Sequence, residues 1–247
     1  MKKLLVILGV LLGLVVIAVL VTTFMLGTIV TKGVNTFGPR ITGTKVILDH
    51  AVISPISGSG TLSGLFVGNP EGWTGDKAFY MGKVHVSVAP LSVLGDHIII
   101  NEVLIDSPDF VYETKIISSN IKDLLNNIEK NVGGTSAGKT TESAPTAKSG
   151  KPLKFEIKSF RLQNAKVTLG VGPTAITVPM PPITITNLGT KEGGITPDQA
   201  AVKIMTTVLG NIVSAVANSA LKIGGAGGAT ATDAASGAVK SIKNLFK

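Results

Sequence analysis

The residues Gly133-Gly-Thr-Ser-Ala-Gly138-Lys139-Thr140 satisfy the spacing G-x-x-x-x-G-K-[ST], in which backbone N–H groups cradle phosphates, the lysine reaches them and the hydroxyl meets Mg²⁺. A working loop of this kind follows a buried strand and opens a helix. Here it follows an amphipathic helical pattern and leads into Thr-Glu-Ser-Ala-Pro-Thr-Ala-Lys-Ser-Gly, so its amides have no scaffold on which to converge. No nucleotide is expected as ligand. The three histidines, His50, His85 and His97, are widely separated, and none has a second ligand at metal-binding spacing. Asp106, Asp109 and Glu113 cluster near one turn, where a paired-carboxylate site competes with ordinary surface charge at a strand end; the second reading is preferred. With no cysteine there is no disulfide, thiolate site or cysteine nucleophile, and no serine sits in a nucleophile elbow. The chain is expected to be non-enzymatic, without metal or cofactor.

The elements that would position any site show a repeat. Leu62-Ser-Gly-Leu65-Phe-Val67-Gly-Asn69-Pro70 aligns without gaps to Ile100-Asn-Glu-Val103-Leu-Ile105-Asp-Ser107-Pro108 and to Ile157-Lys-Ser-Phe160-Arg-Leu162-Gln-Asn164-Ala165. In the last two copies Phe110 and Tyr112 correspond to Val167 and Leu169. Apolar residues fall at relative positions 0, 3 and 5, so the two-residue strand period is broken once, at the same place in each copy. A bulge or bend there keeps the apolar side chains on one face and curves the sheet. The Asn/Ser-Pro pair is expected to stop pairing and turn the chain. Lys83–Val88 and Lys154–Ile157 alternate polar and apolar residues, as strands with one dry face do. The pattern predicts a curved, mostly antiparallel sheet with an apolar concave face, either covered as a core or open as a groove.

Ser119–Val132 starts on capping residues and places Ile121, Leu124, Leu125 and Ile128 on one helical face. Residues 133–151 shift to Gly, Ser, Thr, Ala, Lys and Pro and read as a linker. Thr196-Pro197-Asp198-Gln199 supplies an N-cap, a first-turn proline and a capping-box glutamine. The stripe Val202, Met205, Leu209, Ile212, Val216, Ala220, Ile223 follows until Gly224-Gly225, opposite a mild polar face. This helix is expected to lie on the apolar sheet face as its cover, with a removable lid as the alternative. Ala238–Lys247 sets Val239, Ile242, Leu245 and Phe246 against three lysines, a short basic amphipathic tail suited to a membrane surface.

Composition places these elements relative to a membrane. Leu4 to Val30 is an uncharged run of 27 residues. As a helix it would extend about 40 Å, against a hydrocarbon core of about 30 Å. A cleaved signal peptide has a shorter apolar region ending near a small-x-small site, and none precedes Thr31-Lys32. The run is read as a single-pass anchor in the cytoplasmic membrane, with the bulk of the chain on the extracytoplasmic, periplasmic side. Omitting Lys2 and Lys3 lowers the net charge from +8 to +6, which suits an anionic membrane surface. Nucleic acid is not an expected partner, because the lysines are scattered and aromatics make up only 4% of the chain.

Together, "ITGTKVILDHAVISPISGSGTLSGLFVGNPEGW", "KVHVSVAPLSVL", "IIINEVLIDSPDFVYE" and "SNIKDLL", behind an N-terminal anchor, resemble the AsmA-like family of bacterial envelope proteins. The most specific part is the Gly-rich strand followed by Asn69-Pro70-Glu71-Gly72. The resemblance covers residues 1–132 well, 152–188 through the repeat, and the C-terminal helices hardly at all. It implies a role in envelope and outer-membrane biogenesis, and larger relatives look like grooved β structures that carry phospholipid. This chain is much shorter than those bridges, and no catalytic residue carries over. The expected architecture is α+β: anchor 1–31, first β region with its terminal helix 32–132, linker 133–151, second β region of the same sheet 152–189, and C-terminal helices 190–247. The candidate lipid-groove residues are Leu62, Leu65, Val67, Ile100, Val103, Ile105, Ile157, Phe160 and Leu162. The expected partner is a membrane phospholipid or acyl chain. The alternative is an envelope scaffold with a closed core, contacting other envelope proteins or affecting protein targeting to the membrane.

Overall fold

The computed structural model describes residues 21–22, 25–115, 118–133 and 153–224. Most of the apolar N-terminal run, the segment 134–152 with Lys139, and the tail Ala238–Lys247 lie outside them. Residues 25–42 form helix α1. Strands β1 (Val46–Ile53), β2 (Ser59–Gly68), β3 (Lys77–Val88), β4 (His97–Asp106) and β5 (Asp109–Tyr112) follow, with a 3-10 turn at Pro90–Leu94 between β3 and β4. Helix α2 (Asn120–Gly133) precedes β6 (Lys154–Gln163), β7 (Lys166–Leu169), β8 (Ile176–Pro179) and β9 (Ile183–Leu188), and α3 (Pro197–Gly224) comes last.

The nine strands form one curled, half-barrel sheet. Strand β3 is its junction. One edge pairs with β2, which pairs with β1; the other pairs with β5 at Phe79–Tyr80 and with β4 from Lys83 to Val88. Strands β6 and β9 extend the sheet beyond β4, while β7 and β8 extend it beyond β5.

The sheet is mixed, which qualifies the mostly antiparallel expectation: most of its described pairings are antiparallel, but β4–β6 and β5–β7 are parallel pairs. Parallel neighbours need a long crossover. The chain between Tyr112 and Lys154, which carries α2, supplies that length. The second and third repeat copies lie side by side in register: Ile100, Val103 and Ile105 oppose Ile157, Phe160 and Leu162, and Phe110 and Tyr112 oppose Val167 and Leu169. The first copy is staggered, because Leu62 lines up through Val84 with Ile105 instead of Ile100.

The break in period has its expected effect in the second copy. Ser87 pairs with Glu102 but Val88 with Ile100, so Asn101 is the extra residue of a bulge. In the first copy Gly64, between Leu62 and Leu65, takes φ 68°. The proline expectation holds only in part. Strand β2 ends at Gly68 before Asn69-Pro70, whereas Ser107-Pro108 merely kinks a strand that continues as β5. Ser107 and its counterpart Asn164 both take φ 54°, and the bonds Ser107 N to Gln163 O (2.9 Å) and Lys166 N to Pro108 O (3.0 Å) carry the parallel ladder across the kink.

Helix α1 runs antiparallel along β1. Gly38 packs on the Val46 side chain and Gly27 on the backbone of Ala51; a Cβ at Gly27 would stand 2.1 Å from the Ala51 carbonyl oxygen. Between them the Asn35 amide brackets Leu48, Nδ2 donating to its carbonyl (3.1 Å) and Oδ1 accepting from its N–H (2.6 Å). This pairs the outward backbone groups of Leu48 on the terminal strand, which would otherwise be open.

Candidate functional site

Residues directly opposite one another in a sheet share a face, so the ladder registers define apolar rows across the curl. One row is Leu62, Val84, Ile105, Leu162, Ile183; the next is Gly60, Val86, Val103, Phe160, Ile185. Of the nine candidate groove residues, Val67, Ile105, Ile157, Phe160 and Leu162 are buried, and Leu62, Leu65, Ile100 and Val103 are half-buried against the same apolar cluster. The three repeat copies therefore supply one apolar interior.

Helix α3 covers part of it. Thr196 and Gln199 form a reciprocal capping box, Gln199 Oε1 accepting from Thr196 N (3.1 Å) and Thr196 Oγ1 from Gln199 N (3.4 Å). The helix then lies over β6 to β9 and meets α2. Ile212 is fully buried; Val202, Met205, Leu209 and Val216 of the expected stripe are half-buried. Val208, Val213 and Ala215 are buried as well, so the packed face is broader than the stripe implied. Ala220 and Ile223 lie beyond the described side chains. Among the described residues one helical stretch, Gln199–Ser219, is long and apolar enough to cross a membrane, a criterion that core helices also meet.

The cover is uneven. Phe160, Leu162 and Ile183 on the α3 side are buried, as are Val84 and Ile105 of β3 and β4, whereas Leu62, Val86, Ile100 and Val103 on β2 to β4, and Ile185 of β9, keep partial exposure. The end of the sheet where β4 and β6 begin also holds a cleft of about 590 Å³ at the start of α3. Ile195 and Val202 give it apolar wall, and Lys154, Lys203 and Glu192 line it with charge. Lys203 Nζ donates to Glu192 (2.9 Å), and this bond holds the Glu192 carboxyl below the usual carboxylate range.

The opposite end is closed by a polar network that the sequence reading missed. Glu113, expected at the surface, is buried. Its carboxylate accepts from the backbone of Thr74 (3.0 Å) and Gly75 (2.9 Å) and from Asn69 Nδ2 (2.7 Å). Fully buried Asn120 accepts from the N–H groups of Glu113 (3.0 Å) and Ile121 (2.9 Å) and donates to Asn69 Oδ1 (2.8 Å) and the Val111 carbonyl (2.7 Å). Trp73 Nε1 donates to Asp123 (3.0 Å). The Asn69–Trp73 loop is thereby tied to the start of α2, while Asn131 of α2 reaches the Ile41 carbonyl at the end of α1 (3.0 Å). Neighbouring Tyr112 has its hydroxyl pushed above the usual tyrosine range by burial, which a hydrogen bond with Ser119 opposes.

The other titratable candidates do not converge. Asp106 accepts from Asn164 (2.7 Å), a bond that lowers its pKa, and Asp109 pairs with Lys77 (2.5 Å). His50 is exposed on β1, His85 is half-buried on β3, and His97 opens β4, 3.5 Å from Glu156. Among the described residues no group of three His, Asp or Glu is placed to hold a metal. Compared with family models, with curated proteins and with solved structures, the chain matches none.

Proposed function

We propose that the chain is a non-enzymatic, membrane-anchored extracytoplasmic protein that holds a phospholipid acyl chain on the inner face of its sheet, an AsmA-like role in envelope lipid handling. One observation carries the reading: the repeated apolar rows continue from β9 to β2, and α3 packs mainly over the β6–β9 side, while Leu62, Val86, Ile100 and Val103 stay half-buried. An acyl chain suits a strip that is apolar throughout and lacks charged side chains. Lys154 of the cleft at the same end supplies a partner for an anionic headgroup, while Lys203 there is engaged by Glu192. A closed-core envelope scaffold is the second reading, favoured by the complete burial of Leu162 and Ile212.

The test is mass spectrometry of lipids extracted with the purified full chain and with Val103→Glu. At a half-open strip a carboxylate keeps contact with water, so lipid should be lost while the unfolding midpoint changes little. A buried, unpartnered charge would instead cost several kcal/mol. Absence of lipid from the wild-type chain, or global unfolding of the variant, would favour the scaffold.

A further inference from the structure

The strands place two loops side by side at the cleft end of the sheet, the β1–β2 hairpin tip Ser54–Gly58 and the Ala89–Gly95 connection. Val88 N donates to the Gly58 carbonyl (2.9 Å), and the Pro90 ring lies against Gly58. Both loops expose large apolar side chains: Ile56 is 72% exposed, Leu91 84% and Leu94 77%. Such exposure in a small cluster marks an interaction surface.

Three observations identify its partner. The stretches Ser-Pro-Ile-Ser-Gly and Ala-Pro-Leu-Ser-Val-Leu-Gly contain no charged residue, and Asp96 follows only where the second one enters β4. Their backbone groups are engaged locally: Gly58 N donates to Ser54 O (2.9 Å), Ser92 N to Ala89 O (3.0 Å) and Gly95 N to Ser92 O (3.2 Å), while Ser92 Oγ accepts from Ile99 N (3.0 Å). Each polar group already paired within the loop is one fewer to orphan on entering an apolar phase. Finally, α1 meets β1 at Gly27, beside Ala51 and Val52, so the uncharged run from Leu4 onward reaches the fold next to these loops. The exposed side chains Val21, Met25 and Ile29 recur at helical spacing on that approach.

We infer that Ile56, Leu91 and Leu94 dock into the outer leaflet of the bilayer that holds the N-terminal run, turning the cleft and the half-open strip toward the lipid. The inference rests on the anchor reading. A charged protein partner fits poorly, since the exposed tips carry no charge and Asp96, the one acid of the second connection, sits at its base where its carbonyl accepts from Lys154 N (2.9 Å). A second copy of the chain would leave the loops untouched by lipid.

The chain contains no cysteine, so single cysteines label cleanly. Full-length Ile56→Cys, Leu91→Cys and Leu94→Cys, with Ile176→Cys as a control that is half exposed at the far end, would carry an environment-sensitive fluorophore. Each would be reconstituted in phosphatidylethanolamine–phosphatidylglycerol vesicles containing nitroxide-headgroup lipid. The expected result is quenching at positions 56, 91 and 94 but not at 176, with quenching at 56 lost when Leu91→Asp and Leu94→Asp are added. Vesicle-bound protein with no difference between the loops and position 176 overturns the docking while the anchor stands. Blue-shifted but unquenched loop probes overturn it in favour of a second copy. A chain that does not float with the vesicles overturns both readings.

Discussion

Asn120 illustrates how much one side chain can hold. Its amide saturates two N–H groups, a carbonyl and the Asn69 amide at a point with no exposure. Removing it orphans buried groups, each costing about 1–3 kcal/mol when left without a partner. Asn120→Ala should therefore lower stability by about 3 kcal/mol or more. Urea unfolding would show this as a lower midpoint at unchanged slope. An unshifted midpoint would mean that water enters and replaces the amide. The residues of this network are Asn, Glu and Trp in separate stretches, and no spacing rule links positions 69, 113 and 120. The repeat drew attention to Asn69-Pro70, but as a turn and not as part of a buried network.

At the scale of elements, α3 decides between lid and core. A removable lid would contribute little to global unfolding, whereas an integral layer contributes as any core does. Ile212 has no exposure, so Ile212→Ala should cost about 2–5 kcal/mol in chemical denaturation. Exposed Thr206→Ala should stay within about 0.5 kcal/mol. Equal, negligible effects of both would show that the helix leaves the sheet before the domain unfolds. The capping box and the stripe of α3 were legible in the sequence because both are local, repeating every three or four residues. The width of its buried face was not, since it depends on how far the sheet curls around it.

For the molecule as a whole, the two ends differ in kind. One is sealed by Glu113, Asn120 and α2; the other carries the cleft, the apolar loops and the approach of the N-terminal run. With 27 uncharged residues, that run is long enough to anchor the protein. The full chain should accordingly stay with the membrane pellet after alkaline carbonate extraction and keep its N-terminal peptide by mass spectrometry. A carbonate-soluble form starting near Lys32 would contradict the anchor.

The repeat itself was readable without coordinates. Apolar residues at positions 0, 3 and 5 demanded a bend, because side chains that alternate faces can share one only if the strand slips by a residue. The bulge at Asn101 and the left-handed Gly64 are two local solutions to that demand. The same pattern does not say which strands pair. An apolar face looks alike in parallel and antiparallel ladders, and the choice rests on the path between Tyr112 and Lys154, which returns the third copy to the second one's side in the same direction. The burial of Glu113 was likewise beyond the sequence. Its carboxylate is solvated by two amides and an asparagine brought from forty residues away, and a charge tolerates burial only where the fold assembles such partners around it. Local periodicity determined the strands, the helices and their apolar faces; long-range pairing decided which of those faces were sealed and which remained partly open.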